Sequence, residues 1–562
     1  MTDLRIALVG GGPSALFMYK RLIESNYPGH LFVDIYEKTG NLGSGMPYSH
    51  SGAADEHVTN VSGNEIPELT SDVADWVKKV SKDTLDKYHV DPGRFNNYKV
   101  LPRLLFGQYL ADQFKALLRA GRTKGIVTKV LFNTEVTDIE DLPKKEKVAV
   151  ITGPGSTEYD RAIICTGHLW PKHHEGKVTN WFDSPYPPEK IARRANHPVA
   201  VRGASLTAID AIKTLARHNG RFEKDKQGIL HFYPDPESEH FSIVMHTRNG
   251  LLPAVRFHLE DTHLGKDTVL SPEQIEQNRK ENDGFLSLDY VFEQNFKKGI
   301  EKNDPACYAE IKDLTMEEFV EQTMSSREKI DPFELLKKEY AEAEWSIQKH
   351  QSVYWKEMLA ILSFAMNYPA KYFSAEDMLR LQQTLMPLIS VVIAFVPQSS
   401  AETLLALHAA GRLQMVTVDD DQEPEPADNG GANYAGRHYP LFIDCIGQPH
   451  IAFNHIPFDG IRKAGTWAKV AFRNPQAALP LLNKGDKRVT KNGDHYFLTV
   501  PGLAINDRFQ LLDNANGLNE RIYIMAVPLM GGFNPDYSGL DFGEAASGKI
   551  LEGLFGAKMI TL

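Results

Sequence analysis

Gly10-Gly11-Gly12-Pro13-Ser14-Ala15 sets small residues at the spacing G-x-G-x-x-A, directly after an apolar run, Leu4 to Val9, and at the head of a helical pattern, Ser14 to Ile23. That arrangement suits phosphate binding. Gly10 makes the tight strand-to-helix turn, Gly12 lets the backbone approach a pyrophosphate, and Ala15 lets the helix pack closely. The helix N-terminus, entered through Pro13 and Ser14, offers unpaired N–H groups and a positive dipole end to an anion. The next apolar run, Leu31 to Tyr36, ends in Glu37, placed to accept ribose hydroxyls, with Lys38 beside it in the same cofactor set. A purely structural glycine turn is the plain alternative; the strand before it, the helix after it and the acid beyond count against it.

A second, weaker copy reads Gly203-Ala204-Ser205-Leu206-Thr207-Ala208, with serine in place of the middle glycine. Ser205 is small enough to admit a phosphate and has a hydroxyl to donate, and Thr207 follows in the first helical turn. The next strand ends in His246-Thr247-Arg248, which offers ribose no carboxylate but supplies a guanidinium able to fork onto a 2′-phosphate. NADPH is therefore expected here rather than NADH. A vestigial fold kept for packing, and an ordinary surface arginine, are the alternatives.

Other residues are less specific. Gly43 and Gly45 in Asn41 to Ser49 (NLGSGMPYS) would let the backbone pass close to a planar ring. His57 and His168 are the candidate catalytic residues, as proton donors or substrate ligands, although a histidine in a polar loop is more often structural. No spacing of His, Cys, Asp or Glu suits a metal, and none is expected. The cysteines, Cys165, Cys307 and Cys445, are too widely spaced for a disulfide framework or a Cys-x-x-Cys relay, which fits a reducing, cytoplasmic location.

Together GGGPSA, GSGMPYS, HVTNVSG, DVADWV, RLLFGQYL and YDRAIICTGH resemble the FAD-NAD(P)-binding oxidoreductases that include flavin-dependent urate hydroxylases and aspartate N-monooxygenases, which are class B-like flavoprotein monooxygenases. More distantly the chain is similar to the ornithine N-hydroxylases. The resemblance implies FAD on the first unit, with Gly45, Tyr48, Asn60, Arg103, Thr166 and Gly167 near it and Val136 contacting adenine through main-chain atoms. It implies a single-component monooxygenase that hydroxylates a nitrogen or carbon of a small polar metabolite with O2, through a flavin C4a-hydroperoxide. An NADPH-dependent reductase acting on a quinone, nitro compound or protein, and a non-catalytic flavin-bound redox sensor, stay open beside it. The Baeyer–Villiger fingerprint F-x-G-x-x-x-H-x-x-x-W is lacking, and Val527-Pro528 stands where relatives often carry Gly-Asp.

The elements that must position these residues alternate strand and helix. Leu4–Val9, a helix and Leu31–Tyr36 form one βαβ unit; Pro198–Arg202, a helix from Leu206 to Ala216 and Phe241–His246 form another, with Gly220–His240 as a surface excursion. Arg161–Cys165 and Tyr439–Gly447 read as strands that leave each unit, and Arg521–Val527 as a strand closing the first. The expected fold is α/β, with two Rossmann-like dinucleotide-binding domains, the NADPH domain (190–447) inserted in a split FAD domain (1–189 and 448–562). A helical insertion over 271–386 is read as a solvated cover or as a wall over the flavin. Pro387–Pro397 (PLISVVIAFVP) is too short to span a membrane and reads as a buried strand, and the acidic, Pro/Gly-rich Asp419–Gly431 reads as a loop. With 562 residues, 42% hydrophobic and 24% charged, the chain should bury a sizeable core. A net charge of -11 disfavours nucleic acid and anionic lipid as partners. Oligomeric state is left open.

Overall fold

The structure is a computed structural model and describes residues 3–259, 269–367, 369–447, 451–515, 517–535 and 539–556. Strands β1 (Leu4–Val9), β2 (Leu31–Tyr36), β3 (Val127–Leu131) and β4 (Arg161–Ile164) pair in parallel, with Ile6 opposite Val33 on one side and Arg161 on the other. β1 and β4 are near-continuous apolar runs, as a sheet covered on both faces requires. Helix α1 (Pro13–Glu24) carries β1 over to β2; its opening proline sits where the missing N–H is harmless, and Ala15 to Tyr19, Leu22 and Ile23 are buried. Helix α2 (Arg103–Thr123) leads into β3, and an antiparallel sheet of Val136–Leu142, Lys147–Thr152 and Gly155–Tyr159 fills the step from β3 to β4.

The chain then builds a second parallel sheet from β5 (Trp181–Phe182), β6 (Pro198–Arg202), β7 (Ser242–Thr247), β8 (Leu413–Thr417) and β9 (Phe442–Asp444), in the order β8-β7-β6-β9-β5. Helices α3 (Leu206–Asn219) and α4 (Gln398–Ala409) follow β6 and precede β8. Finally β10 (Gln510–Leu512) and β11 (Leu518–Ile524) return to the first sheet, whose order is β10-β11-β4-β1-β2-β3. Helix α5 (Gly539–Phe555) lies on α1: a Cβ on Gly543 would sit 2.9 Å from the Phe17 ring, and Lys20 Nζ is 3.3 Å from Glu544. The first sheet is thus split around the second, the arrangement the sequence implies. β5 lies within the 1–189 span yet belongs to the second sheet, and position 448 falls outside the described residues.

Between β7 and β8 the chain is helical from Pro272–Glu281 to Met386–Val392. Local signals set the helix starts: Ser271 and Thr315 form capping boxes, and Asp331 and Ser374 accept from backbone N–H groups. Glu339 is buried between Arg327, at 2.8 Å, and Lys356, which ties the middle of this segment together.

The structure corrects or refines some of the sequence readings. Pro387–Pro397 is not a strand: Met386–Val392 is a helix, and Pro397 is the N-cap of α4. A short apolar run signals burial without choosing a period, and proline near a helix start is as compatible as proline bounding a strand. Gly220–His240 holds an antiparallel hairpin, Gly220–Lys224 with Leu230–Pro234. Glu425–Pro426, within the expected acidic loop, pairs with Ala432–Asn433.

Candidate functional site

Both phosphate-type turns have the same construction. Gly10 has φ +108° and Gly203 φ +109°, and a Cβ on either would lie 2.7 Å from a carbonyl oxygen, that of Cys165 or of Cys445. Each cysteine follows the strand next in line, β4 or β9, so both turns sit where the strand order reverses, the place at which open parallel sheets bind dinucleotides. Gly12 caps α1 with no side-chain hydrogen bond and no acidic residue in the first turn, and a Cβ there would come 3.3 Å from Gly45 Cα. The two glycine backbones therefore pack directly against each other at the α1 N-terminus, an approach that a side chain on either would disturb. Buried Glu37 accepts from Gly11 N at 3.0 Å and from Thr39 N and Oγ1 at 2.8 and 2.7 Å, so it braces the turn and keeps one acceptor position, on Oε2, for a ribose hydroxyl. These features fit FAD.

The other predicted residues separate. Lys38 and Gly167 are exposed, and Thr166 is half-buried past the end of β4. The Tyr48 ring meets Phe106 edge-on at 4.9 Å. Asn60 gives its backbone oxygen to Arg256, and Val136 opens the antiparallel sheet opposite Thr152. Ser205 is exposed at the α3 N-cap with no side-chain cap bond, and Thr207 is half-buried. Arg248 is 75% exposed at the end of β7 and stands 3.4 Å from Asp420.

Arg103 and His57 make contacts across the two units that the sequence did not anticipate. Arg103 donates Nε to Val58 O at 3.1 Å and Nη1 to Asp210 Oδ2 of α3 at 2.5 Å, and the Tyr186 hydroxyl donates to the same carboxylate at 2.6 Å. His57 Nδ1 accepts from Ala54 N at 3.1 Å, which leaves Nε2 as donor to Asp210 O and Thr214 Oγ1, both at 3.1 Å. Glu56 accepts from Thr214 at 2.7 Å and from Arg217 at 3.0 Å. The two residues thus join a clamp that fixes α3, from Asp210 to Arg217, to the FAD-side unit. Both His57 nitrogens are engaged, so it is not a free proton donor. Burial alone would raise the Asp210 carboxyl; the Arg103 guanidinium, His57 and the hydrogen bond from Tyr186 together outweigh it, so the group is held below its ordinary range. Burial pushes Lys213, beside it, down to about 8. Asp210, Tyr186, Thr214 and Glu56 were not anticipated; the signal was polar residues on the apolar face of α3.

His168 lies with Trp170, Glu175, Tyr186 and Lys190 on a cavity of about 150 Å³ that also touches Met46 and Ser51. Among the described residues no group of three or more His, Cys, Asp or Glu could hold a metal.

Buried His246 packs between Tyr434 and Tyr439, and burial pushes it down to about 4. The unfolded chain binds this proton more readily, so the group's contribution is complete above the unfolded value of about 6.5 and is lost as pH falls towards the folded one. Thermal unfolding at pH 5 is expected to show a loss of ~2 kcal/mol from pH 7.5 that His246→Phe reduces.

Residues 7–169 match the FAD-NAD(P)-binding family, and residues 271–393 match the YdhS-like middle domain. The first unit is therefore a FAD-NAD(P)-binding domain. The protein YdhS of Escherichia coli (strain K12) is 28% identical over 472 residues, 82% of this chain and 86% of the relative. Among solved structures, the ornithine N-hydroxylase KtzI of Kutzneria sp. 744 has 12% identity and a TM-score of 0.44, over 99% of this chain and all of that one. The cadaverine monooxygenase DfoA of Erwinia amylovora has 11% identity and a TM-score of 0.44, over 100% and 96%. No helix among the described residues is long and apolar enough to cross a membrane.

Proposed function

We propose that this chain is a FAD-dependent oxidoreductase reduced by NADPH, and that it acts as a single-component monooxygenase on a small polar metabolite. The observation that carries the reading is the pair of equivalent glycine turns at Gly10 and Gly203, held to one another by the Arg103–Asp210 clamp. When bound, FAD accepts hydride from NADPH and supplies the reactivity with O2. The protein's own part is positional. The α1 turn and Gly45 hold the flavin nucleotide, the α3 turn and Arg248 hold the nicotinamide nucleotide, and the clamp limits drift between them. On this reading the FAD domain is 1–189 and 448–562 and the NADPH domain is 190–447, with β5 already in the second sheet.

The test is to add NADPH to the purified yellow protein without oxygen and follow flavin bleaching, then admit air with a panel of amino acids, amines and purines. Coupled oxygen uptake with a hydroxylated product supports the monooxygenase. Fast anaerobic turnover with a quinone or nitro acceptor, and no oxygenated product from any compound that accelerates NADPH use, supports the reductase instead. Absence of bleaching refutes both.

Arg248→Ala is expected to weaken NADPH use on the order of tenfold and leave NADH nearly unchanged. A charge-assisted bond to phosphate contributes roughly 1.5–3 kcal/mol, and exposure of Arg248 together with its partner Asp420 keeps the effect towards the lower end. Steady-state flavin reduction with each nucleotide decides it; equal losses with both mean that Arg248 serves only the fold.

A further inference from the structure

We propose that the cavity at the junction of the two units is the substrate pocket, and that it takes an uncharged molecule of one flat ring with a hydrogen-bonding group, held by His168. The proposal rests on the oxidoreductase reading above and adds the class of substrate.

Position comes first. Met46 and Ser51 follow Gly45 in the loop facing the FAD turn, His168 follows Thr166-Gly167 at the carboxyl end of β4, and Ser184 follows β5 at the same sheet edge as Gly203. The cavity is therefore walled by the loop that follows Gly45 and by the segments that follow β4 and β5.

Size sets the second limit. A volume of about 150 Å³ is too small for a peptide or a nucleotide, whereas a cavity of about this size accommodates a single benzene ring. The aromatic wall suits a flat occupant: the Trp170 ring is 5.5 Å from His168 and 5.2 Å from Tyr186. Tyr186 is anchored, because its hydroxyl is committed to Asp210.

Charge sets the third. Lys190 is 2.8 Å from Glu175 and paired with it, and Asp183 accepts three backbone N–H groups, from His173, His174 and Glu175, as well as the Trp181 indole N–H. Lys172 stands exposed at the wall. A cation finds no unpaired carboxylate there, and the one cation open to an anion, Lys172, is exposed and its attraction screened by solvent, so an ionic ligand gains little for the hydration it loses.

One polar atom on the wall is unused. His168 Nδ1 is buried and has no hydrogen-bond partner among the described residues, an arrangement that is costly until a partner arrives. Burial lowers the proton affinity of the imidazole, and in the neutral ring this nitrogen presents either a proton or a lone pair; an amide, with its carbonyl and its N–H, matches both.

The test uses the flavin-loaded protein in its oxidised state, without NADPH, titrated with benzamide, benzoate and benzylammonium, three one-ring probes of different charge. Tryptophan fluorescence reports occupancy and equilibrium dialysis gives stoichiometry. Benzamide is expected to bind one per chain and at least about tenfold tighter than either ion, with His168→Phe weakening it about five- to tenfold, the value of one neutral hydrogen bond. Trp170→Leu should retain stoichiometry but lose most of the fluorescence response. Equal binding of the three probes, an unchanged affinity in His168→Phe, or competitive expulsion of benzamide by NADP+ overturns the proposal. NADPH bleaching is measured on the same samples. Bleaching without selective benzamide binding overturns the pocket alone; selective binding without bleaching overturns the oxidoreductase reading, and with it the pocket's role as a substrate site.

Discussion

Gly12→Val is expected to yield a folded protein that has lost its yellow colour, with bound FAD reduced by more than about tenfold. The backbone at Gly12 is extended, at φ −81° and ψ −162°, so a side chain imposes no strain there. What it meets is Gly45: a first carbon stands 3.3 Å from Gly45 Cα, so the Gly45 backbone must give way. The added bulk sits at the α1 N-terminus, whose N–H groups a pyrophosphate has to reach. The neighbouring substitution is a poor test, because a Cβ at Gly10 lies 2.7 Å from the Cys165 carbonyl oxygen at φ +108°, and Gly10→Val should fail to fold. The ratio of flavin to protein absorbance after purification and reconstitution measures the effect. Unchanged flavin in Gly12→Val would remove FAD from this turn.

Asp210→Ala should cost about 3–5 kcal/mol, the loss expected when one member of a buried ion pair is removed and the other keeps its charge. Arg103 is only 14% exposed, and the carboxylate it meets at 2.5 Å also accepts from Tyr186. The variant leaves this guanidinium without its carboxylate, the Tyr186 hydroxyl without its acceptor, and Lys213 without the charge that opposes its desolvation. Arg103→Met with Asp210→Leu removes both charges and is expected to recover most of the stability. Function should respond differently. Asp210 touches neither glycine turn, so the single variant is expected to slow flavin reduction by bound NADPH at least about tenfold through lost alignment, with a smaller change in NADPH affinity. Stopped-flow reduction at varied NADPH separates rate from affinity, and denaturant unfolding measures stability. A double variant with restored stability and full reduction rate would mean that the clamp supports the fold but does not align the two sites.

The legible parts of this chain are those governed by neighbours in sequence. Leu4–Val9 and Leu31–Tyr36 were read with the boundaries they have, because apolar runs of strand length bounded by glycine or a charge identify buried parallel strands. The closing strand was placed a few residues late: β11 runs from Leu518 to Ile524, and Val527–Leu529 forms a short 3-10 turn instead. Pro387–Pro397 was misread because composition alone does not separate a buried helix from a buried strand.

Sequence by itself determined that there are two strand–glycine turn–helix units, that the second departs from the first at Ser205, and that an arginine rather than a carboxylate follows the next strand, at Arg248. Each is a local pattern in which spacing along the chain equals spacing in space. Only the tertiary structure decided what Arg103, His57 and His168 touch. Arg103 meets Asp210 at 2.5 Å once α3 docks, across more than a hundred residues of chain. His57 and His168 are alike in sequence, each a histidine in a polar loop, yet docking surrounds one with partners and leaves the other with an unused nitrogen on a cavity wall. The physical reason is that hydrogen bonding and burial depend on which surfaces meet, and residue spacing carries no information about surfaces brought together from distant parts of the chain.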